Sequence, residues 1–113
     1  MNKVLIILLS FVILSPPAQA EVDLKTLLQS YVQGDDGKKK DIEALVGSLG
    51  LGMSWTNQAI KGRKLYCQPN ELALTDNQYM QMLMAAYLKV KTLHDAPFGL
   101  VLLRTLQSQF PCH

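Results

Sequence analysis

From residue 23 onward, apolar side chains recur at helical and not at alternating intervals. Over residues 23–33, Leu24, Leu27, Leu28, Tyr31 and Val32 trace the stripe of an amphipathic helix, and Gly34 supplies its stop. The GDDGKKK stretch that follows holds no apolar side chain. It reads as a solvated connector, with a charged recognition loop as the alternative. Ile42, Leu45, Val46, Leu49, Met53 and Ile60 share one face of a second helix predicted over 41–60. Gly47, Gly50 and Gly52 each cost about 1 kcal/mol there relative to alanine. That helix is therefore expected either to kink or to let a neighbouring backbone come close.

The third helix carries the clearest start signal. Thr75 as N-cap with Gln78 three residues later makes a capping box, and Leu74 and Tyr79 occupy the hydrophobic-staple positions around it. The run YMQMLMAAYLKVKTL is apolar on most faces, as expected of a helix in the middle of a bundle. Its methionines Met80, Met82 and Met84 suit core gaps, and also promiscuous surfaces. A last helix is expected to start near Asp95-Ala96-Pro97, where aspartate can cap and proline is tolerated. Leu100, Val101, Leu103, Leu106 and Phe110 give it an inward stripe, and Pro111 ends it. No strand pattern competes, so the predicted fold is all-α, a small bundle of about four helices.

The N-terminus changes this picture by setting the compartment. A short positive head at Lys3 precedes the apolar run VLIILLSFVIL (4–14), and SPPAQA then offers the small-x-small site Ala18-Gln19-Ala20. This is the pattern of a secretory signal peptide over residues 1–20, leaving one domain over 21–113. A membrane anchor is the rival, but about 11 residues at about 1.5 Å each span only about half of a hydrocarbon core of about 30 Å. No stable membrane insertion is expected after cleavage.

Export implies an oxidising environment in which paired thiols persist as disulfides. The chain has only two cysteines, Cys67 ahead of the third helix and Cys112 just beyond the fourth. An antiparallel hairpin of those helices would bring their ends together, and the resulting loop of about 45 residues corresponds to about 4 kcal/mol in the chain-entropy model. The bridge is expected to be structural.

Charge and chemistry narrow the function. Cleavage removes one of the 11 basic residues, leaving them nearly balanced by 9 acidic ones, so no long-range field draws the chain onto nucleic acid or an anionic membrane. Cys67, His94, Cys112 and His113 follow no usual metal-ligand spacing, and an oxidised pair supplies no thiolate, so no metal or cofactor is expected. The chain has no nucleophile motif, no H-E-x-x-H and no phosphate-binding loop, and it is not expected to be an enzyme. His94 reads as a solvated turn residue. Trp55 either covers the core edge or anchors a partner. Lys61, Arg63 and Lys64 follow it and would rim such a partner site, though a basic cluster also suits a helix C-terminus.

These residues carry a family resemblance. The segment LYCQPNELALTDNQYMQML, with its C-x-P and then Leu-Thr-x-x-Gln pattern, and the terminal FPC resemble the signature of the Rap/Tai immunity proteins; YVQG (31–34) and GMSWTNQAI (52–60) are similar as well. The resemblance implies a small exported helical protein of the periplasm. Such a protein blocks a peptidoglycan amidase, delivered by the type VI secretion system of sister cells, by covering its catalytic cleft. It carries Cys67 and Cys112 over as the bridge, but no contact surface. Two other classes stay open: a periplasmic acid-stress or holdase chaperone, and a non-catalytic subunit of an envelope assembly.

Overall fold

The computed structural model describes residues 22–113; the predicted signal peptide lies outside them. Four α-helices follow in order: α1 (Leu24–Gln33), α2 (Asp36–Ala59), α3 (Asp76–Lys89) and α4 (Phe98–Gln109), with a 3-10 turn at Lys91–Leu93 between the last two. The described residues contain no strand, only an isolated bridge between Asp23 and Pro97.

Each of the first three helices starts where a side chain can serve an orphaned backbone N–H. Asp23 accepts from Thr26 N at 2.7 Å and Asp35 from Lys38 N at 2.8 Å. Thr75 and Gln78 close the expected capping box, at 3.1 and 2.8 Å. The Asp35 cap corrects the expected connector. GDDGKKK is not a loop, because Asp35 caps α2 and Asp36 places a negative charge in its first turn, where the helix dipole favours it. Lys38 and Lys40 are exposed, and Lys39 lies half-buried over the Tyr31 ring, on a helix that starts five residues earlier than the apolar pattern alone implied. Helix α4 also departs from expectation. Its N-cap is Pro97 and not Asp95, with no side-chain bond; the first N–H, from Phe98, donates instead to Val22 O at 3.1 Å.

The core gathers Leu24, Leu27, Ile42, Val46, Tyr66, Tyr79, Met80, Leu83, Val101, Leu102 and Leu106 from every helix and from the α2–α3 connector. Helix α3 packs most heavily on α2 and α4 and also touches α1, which explains why it is apolar on most faces. Val32, Leu45 and Leu100, placed inward by periodicity, are exposed, while Leu102 is fully buried. They lie at the margins of stripes whose centres face several partners at once.

Two glycines of α2, Gly47 and Gly50, resolve in favour of close approach. The helix is continuous from Asp36 to Ala59. A Cβ on Gly47 would collide with the Asp76 side chain and come within 2.9 Å of its Cα, and one on Gly50 would lie 2.5–2.6 Å from the Tyr79 ring. Both glycines admit the first turn of α3 against α2. Gly52 has no neighbour within 4 Å.

Candidate functional site

The irregular connector from Ile60 to Thr75 lies against the end of α2, and three devices tie it down. Asn57 is the one buried polar residue among those described. Its Nδ2 donates to Tyr66 O at 2.8 Å and its Oδ1 accepts from Leu65 N at 2.7 Å, so one amide satisfies the backbone on both sides of a peptide. Lys64 Nζ donates to Gln58 O at 2.9 Å and Ile60 O at 2.6 Å, closing the carbonyl end of α2 with a cation. Cys67 is bonded to Cys112 with Cα atoms 5.0 Å apart, and Cys67 N donates to Phe110 O at 2.7 Å. The disulfide thus ties the exit of α4 to this connector, nine residues before α3 begins at Asp76.

Trp55 stands on the outer face of α2 with 64% of its surface exposed. Leu51, one turn earlier, is exposed too. Of the two sequence readings, covering the core edge fails; the ring lies open to solvent. Lys61 and Arg63 follow on the same connector and are exposed. Lys64 is half-buried and committed to the α2 carbonyls, which separates it from that pair. Gly62, between Lys61 and Arg63, adopts φ +125°, a conformation that favours glycine.

Hollows open at several places on the bundle. An apolar groove of about 340 Å³ runs between α1 and α3, past Leu28, Val32, Met84, Tyr87 and Leu88, with Lys25 at its edge. A hollow of about 350 Å³ between α2 and α4 is bordered by Leu49, Gly52, Met53, Leu65 and Leu103. A polar pocket of about 250 Å³ lies between the last turn of α2 and the connector, bordered by Ser54, Gln58, Lys64, Tyr66 and Gln68 beside the disulfide.

Burial raises the pKa of Tyr66 and Tyr79 above the ordinary tyrosine value. The Tyr66 hydroxyl also faces Tyr79. Ser54 lies nearby and acts weakly in the opposite direction, though it falls short of a hydrogen bond to Tyr66 Oη. Tyr31 donates to Glu43 Oε1 at 2.6 Å, and that bond holds its proton and raises its pKa. His94 is not a free turn residue. Its ring stacks on Tyr87 with centroids 3.8 Å apart, its Nε2 lies 2.9 Å from Tyr87 O, and its own carbonyl accepts from Lys25 N.

Among the described residues no three His, Cys, Asp or Glu side chains are grouped to hold a metal ion, and no helix is long and apolar enough to cross a membrane. Asn57, Tyr66 and Gln68 were missed as site-forming residues. The available signal was Asn57 itself, a polar residue in register with Val46, Gly50 and Met53 on the buried side of α2.

The described residues define an all-α bundle of four helices, stapled by one disulfide, with an exposed tryptophan on α2 and exposed Lys61 and Arg63 on the connector that follows it. The chain matches no protein-family model, no curated protein and no solved structure.

Proposed function

We propose that this protein is an exported inhibitor that binds a secreted cell-wall amidase and occludes its active site, as the Rap/Tai resemblance implies. The observation that carries the reading is Trp55. A folded monomer gains little by exposing a large aromatic ring, whereas tryptophan is among the residues that most often dominate binding energy at an interface. Leu51 extends the apolar surface, and Lys61 and Arg63 add a cationic rim suited to an acidic partner. Occlusion requires shape and no reactive group, and the disulfide keeps that shape in an oxidising compartment. The periplasm, the signal peptide and delivery of the target by a type VI secretion system belong to the same proposal.

The test is coexpression of the chain with the cell-wall hydrolases encoded next to it. Trp55 is the sole tryptophan, so a fluorinated tryptophan gives one resonance from this chain. A stable complex that shifts this resonance and abolishes amidase activity supports the proposal. Formation of no complex with any neighbouring hydrolase refutes it.

A second reading, a holdase chaperone, draws on the α1–α3 groove, where Leu88 is 81% exposed. It predicts suppression of aggregation of unrelated unfolded proteins, which Leu88→Ser would weaken and Trp55→Ala would not.

A further inference from the structure

Packing inside the bundle accounts for two glycines of α2 and not for the third. Gly47 and Gly50 admit α3, but a Cβ on Gly52 would meet nothing within 4 Å. A glycine inside a helix is destabilising relative to alanine, so the fold gains nothing from this one. Gly52 borders the hollow of about 350 Å³ between α2 and α4, and a side chain there would take up space that the hollow leaves open. Where no internal neighbour needs the room, a glycine lets a group from outside come close.

The surroundings select the chemistry of that group. Leu49, Met53, Leu65 and Leu103 border the same hollow, and none of its bordering residues is charged. Thr56 Oγ1 donates to Gly52 O at 2.8 Å, so the proton of this bordering hydroxyl is already placed. The hollow is accessible as well. Leu65 is exposed, and so is Trp55, which follows Gly52 by three residues on α2 and is therefore its neighbour on the helix surface. A cavity of about 150 Å³ accepts benzene, so there is room for one leucine or phenylalanine side chain.

The elements around the hollow also select the charge of the visitor. From Ala44 to Asn70 the chain holds Lys61, Arg63 and Lys64 and no Asp or Glu, and the one charged residue of α4 is Arg104. The whole chain, by contrast, sets 11 basic residues against 9 acidic ones. Two copies meeting through this face would bring like charges together, whereas an acidic partner is attracted to it. A recess also suits a partner with a projecting side chain better than it suits the surface of a bilayer.

We propose that this hollow is a socket for one large apolar side chain, leucine or phenylalanine, projecting from an acidic segment of a protein partner. That the partner is the amidase rests on the inhibitor reading above; the chemistry of the socket does not.

The experiment titrates the oxidised, 15N-labelled protein with a capped pentapeptide carrying one phenylalanine between pairs of acidic residues, followed by amide chemical shifts. Saturable binding in roughly the millimolar range is expected, with shifts at Gly52, Thr56, Leu65 and Leu103. Peptides with the phenylalanine replaced by alanine, or the acidic residues by lysine, should bind at least tenfold more weakly. Gly52→Leu should weaken binding at least tenfold and Gly52→Ala at least threefold, while both keep a thermal midpoint equal to or above that of the parent. A glycine that served only the fold would lower the midpoint and leave binding unchanged. The socket is overturned if the acidic peptide gives no saturable shift, if either control peptide matches it, or if both Gly52 variants bind as the parent does. It is overturned equally if these resonances respond to self-association of the protein, or to vesicles containing phosphatidylglycerol, and not to the peptide. In a complex with the amidase, Gly52→Leu should weaken affinity at least tenfold, and unchanged affinity overturns the assignment of the socket to that partner while the inhibitor reading stands. Saturable peptide binding with no hydrolase partner found refutes the inhibitor reading alone.

Discussion

Three glycines in one helix look equivalent in sequence, yet the fold predicts opposite responses when each becomes alanine. Alanine in a helix interior gains about 1 kcal/mol over glycine. At Gly52 nothing stands within 4 Å of the added Cβ, so Gly52→Ala should keep most of that gain. At Gly50 the same atom would sit 2.5–2.6 Å from three carbons of the Tyr79 ring, about 1 Å inside ordinary contact. Tyr79 is a buried core residue in the first turn of α3 and cannot swing outward, so α3 itself must shift. Overpacking of this kind costs about 1–3 kcal/mol, which offsets the propensity gain and leaves Gly50→Ala less stable than the parent by up to about 2 kcal/mol. Gly47→Ala meets Asp76, part of it backbone, and should fall on the same side.

Guanidinium unfolding followed by circular dichroism at 222 nm measures the effect. Fluorescence would serve poorly, because Trp55 is already exposed in the folded state. The Gly52 and Gly50 variants should differ by the overpacking cost, about 1–3 kcal/mol, with similar denaturant slopes. In thermal melts each kcal/mol corresponds to about 4–8 °C for a domain of this size. The reasoning is refuted if Gly50→Ala is as stable as Gly52→Ala, since the close approach of α3 would then place no demand on the glycine.

Reducing the disulfide, or Cys67→Ser with Cys112→Ser, reopens a loop of 45 residues and should lower stability by about 4 kcal/mol, read as a drop in the guanidinium midpoint. Asn57→Ala leaves Leu65 N and Tyr66 O without their partner and should cost about 2–4 kcal/mol, whereas Trp55→Ala should change folding by less than about 0.5 kcal/mol. The folded-state pKa of Asp23 lies below the ordinary 3.8, chiefly because its side chain accepts from Thr26. Its contribution is therefore complete above about pH 4, is lost as pH falls through the depressed value, and should vanish from acid titrations of Asp23→Asn. Tyr31, Tyr66 and Tyr79 are raised above 10.0, so their contribution holds below pH 10 and is lost as pH rises through the higher folded values; ultraviolet titration should show them ionising later than in the unfolded chain.

What was legible in the sequence follows from which interactions are local. The α3 capping box, the α1 stripe and the cysteine pair depend on neighbours in sequence or on covalent chemistry, and all three appear in the structure. The start of α2 was obscured because GDDGKKK lacks apolar residues, although Asp35 carries a cap and Asp36 a dipole-favoured charge. Val32, Leu45 and Leu100 were misplaced because periodicity identifies a face but not how much of its margin a short partner helix covers. His94 read as solvated because its stacking on Tyr87 depends on the 3-10 turn that follows α3, a geometry with no local signature. The site was less legible than the fold, since Tyr66 and Gln68 acquire meaning only once Asn57 and the disulfide have fixed the connector.

That dependence ties stability to recognition through one covalent bond. Trp55 and Asn57 ride on α2, but Lys61, Arg63, Tyr66 and Gln68 belong to a connector with no secondary structure of its own. Such a segment would ordinarily open locally at little free-energy cost. Here the disulfide, the Cys67 N to Phe110 O bond and the Asn57 amide hold it at three points, so that both faces of the candidate site are ordered before any partner arrives. Reduction under conditions where the helices remain folded should then raise hydrogen exchange selectively at Leu65, Tyr66 and Cys67 while Met80 and Leu83 in α3 stay protected. Partner affinity should fall with it through slower productive encounter and faster release. If the connector amides exchange at the same rate in oxidised and reduced protein, the bond serves only the global fold, and the ordering of the site rests on the Asn57 amide, the Cys67 N to Phe110 O bond and Lys64.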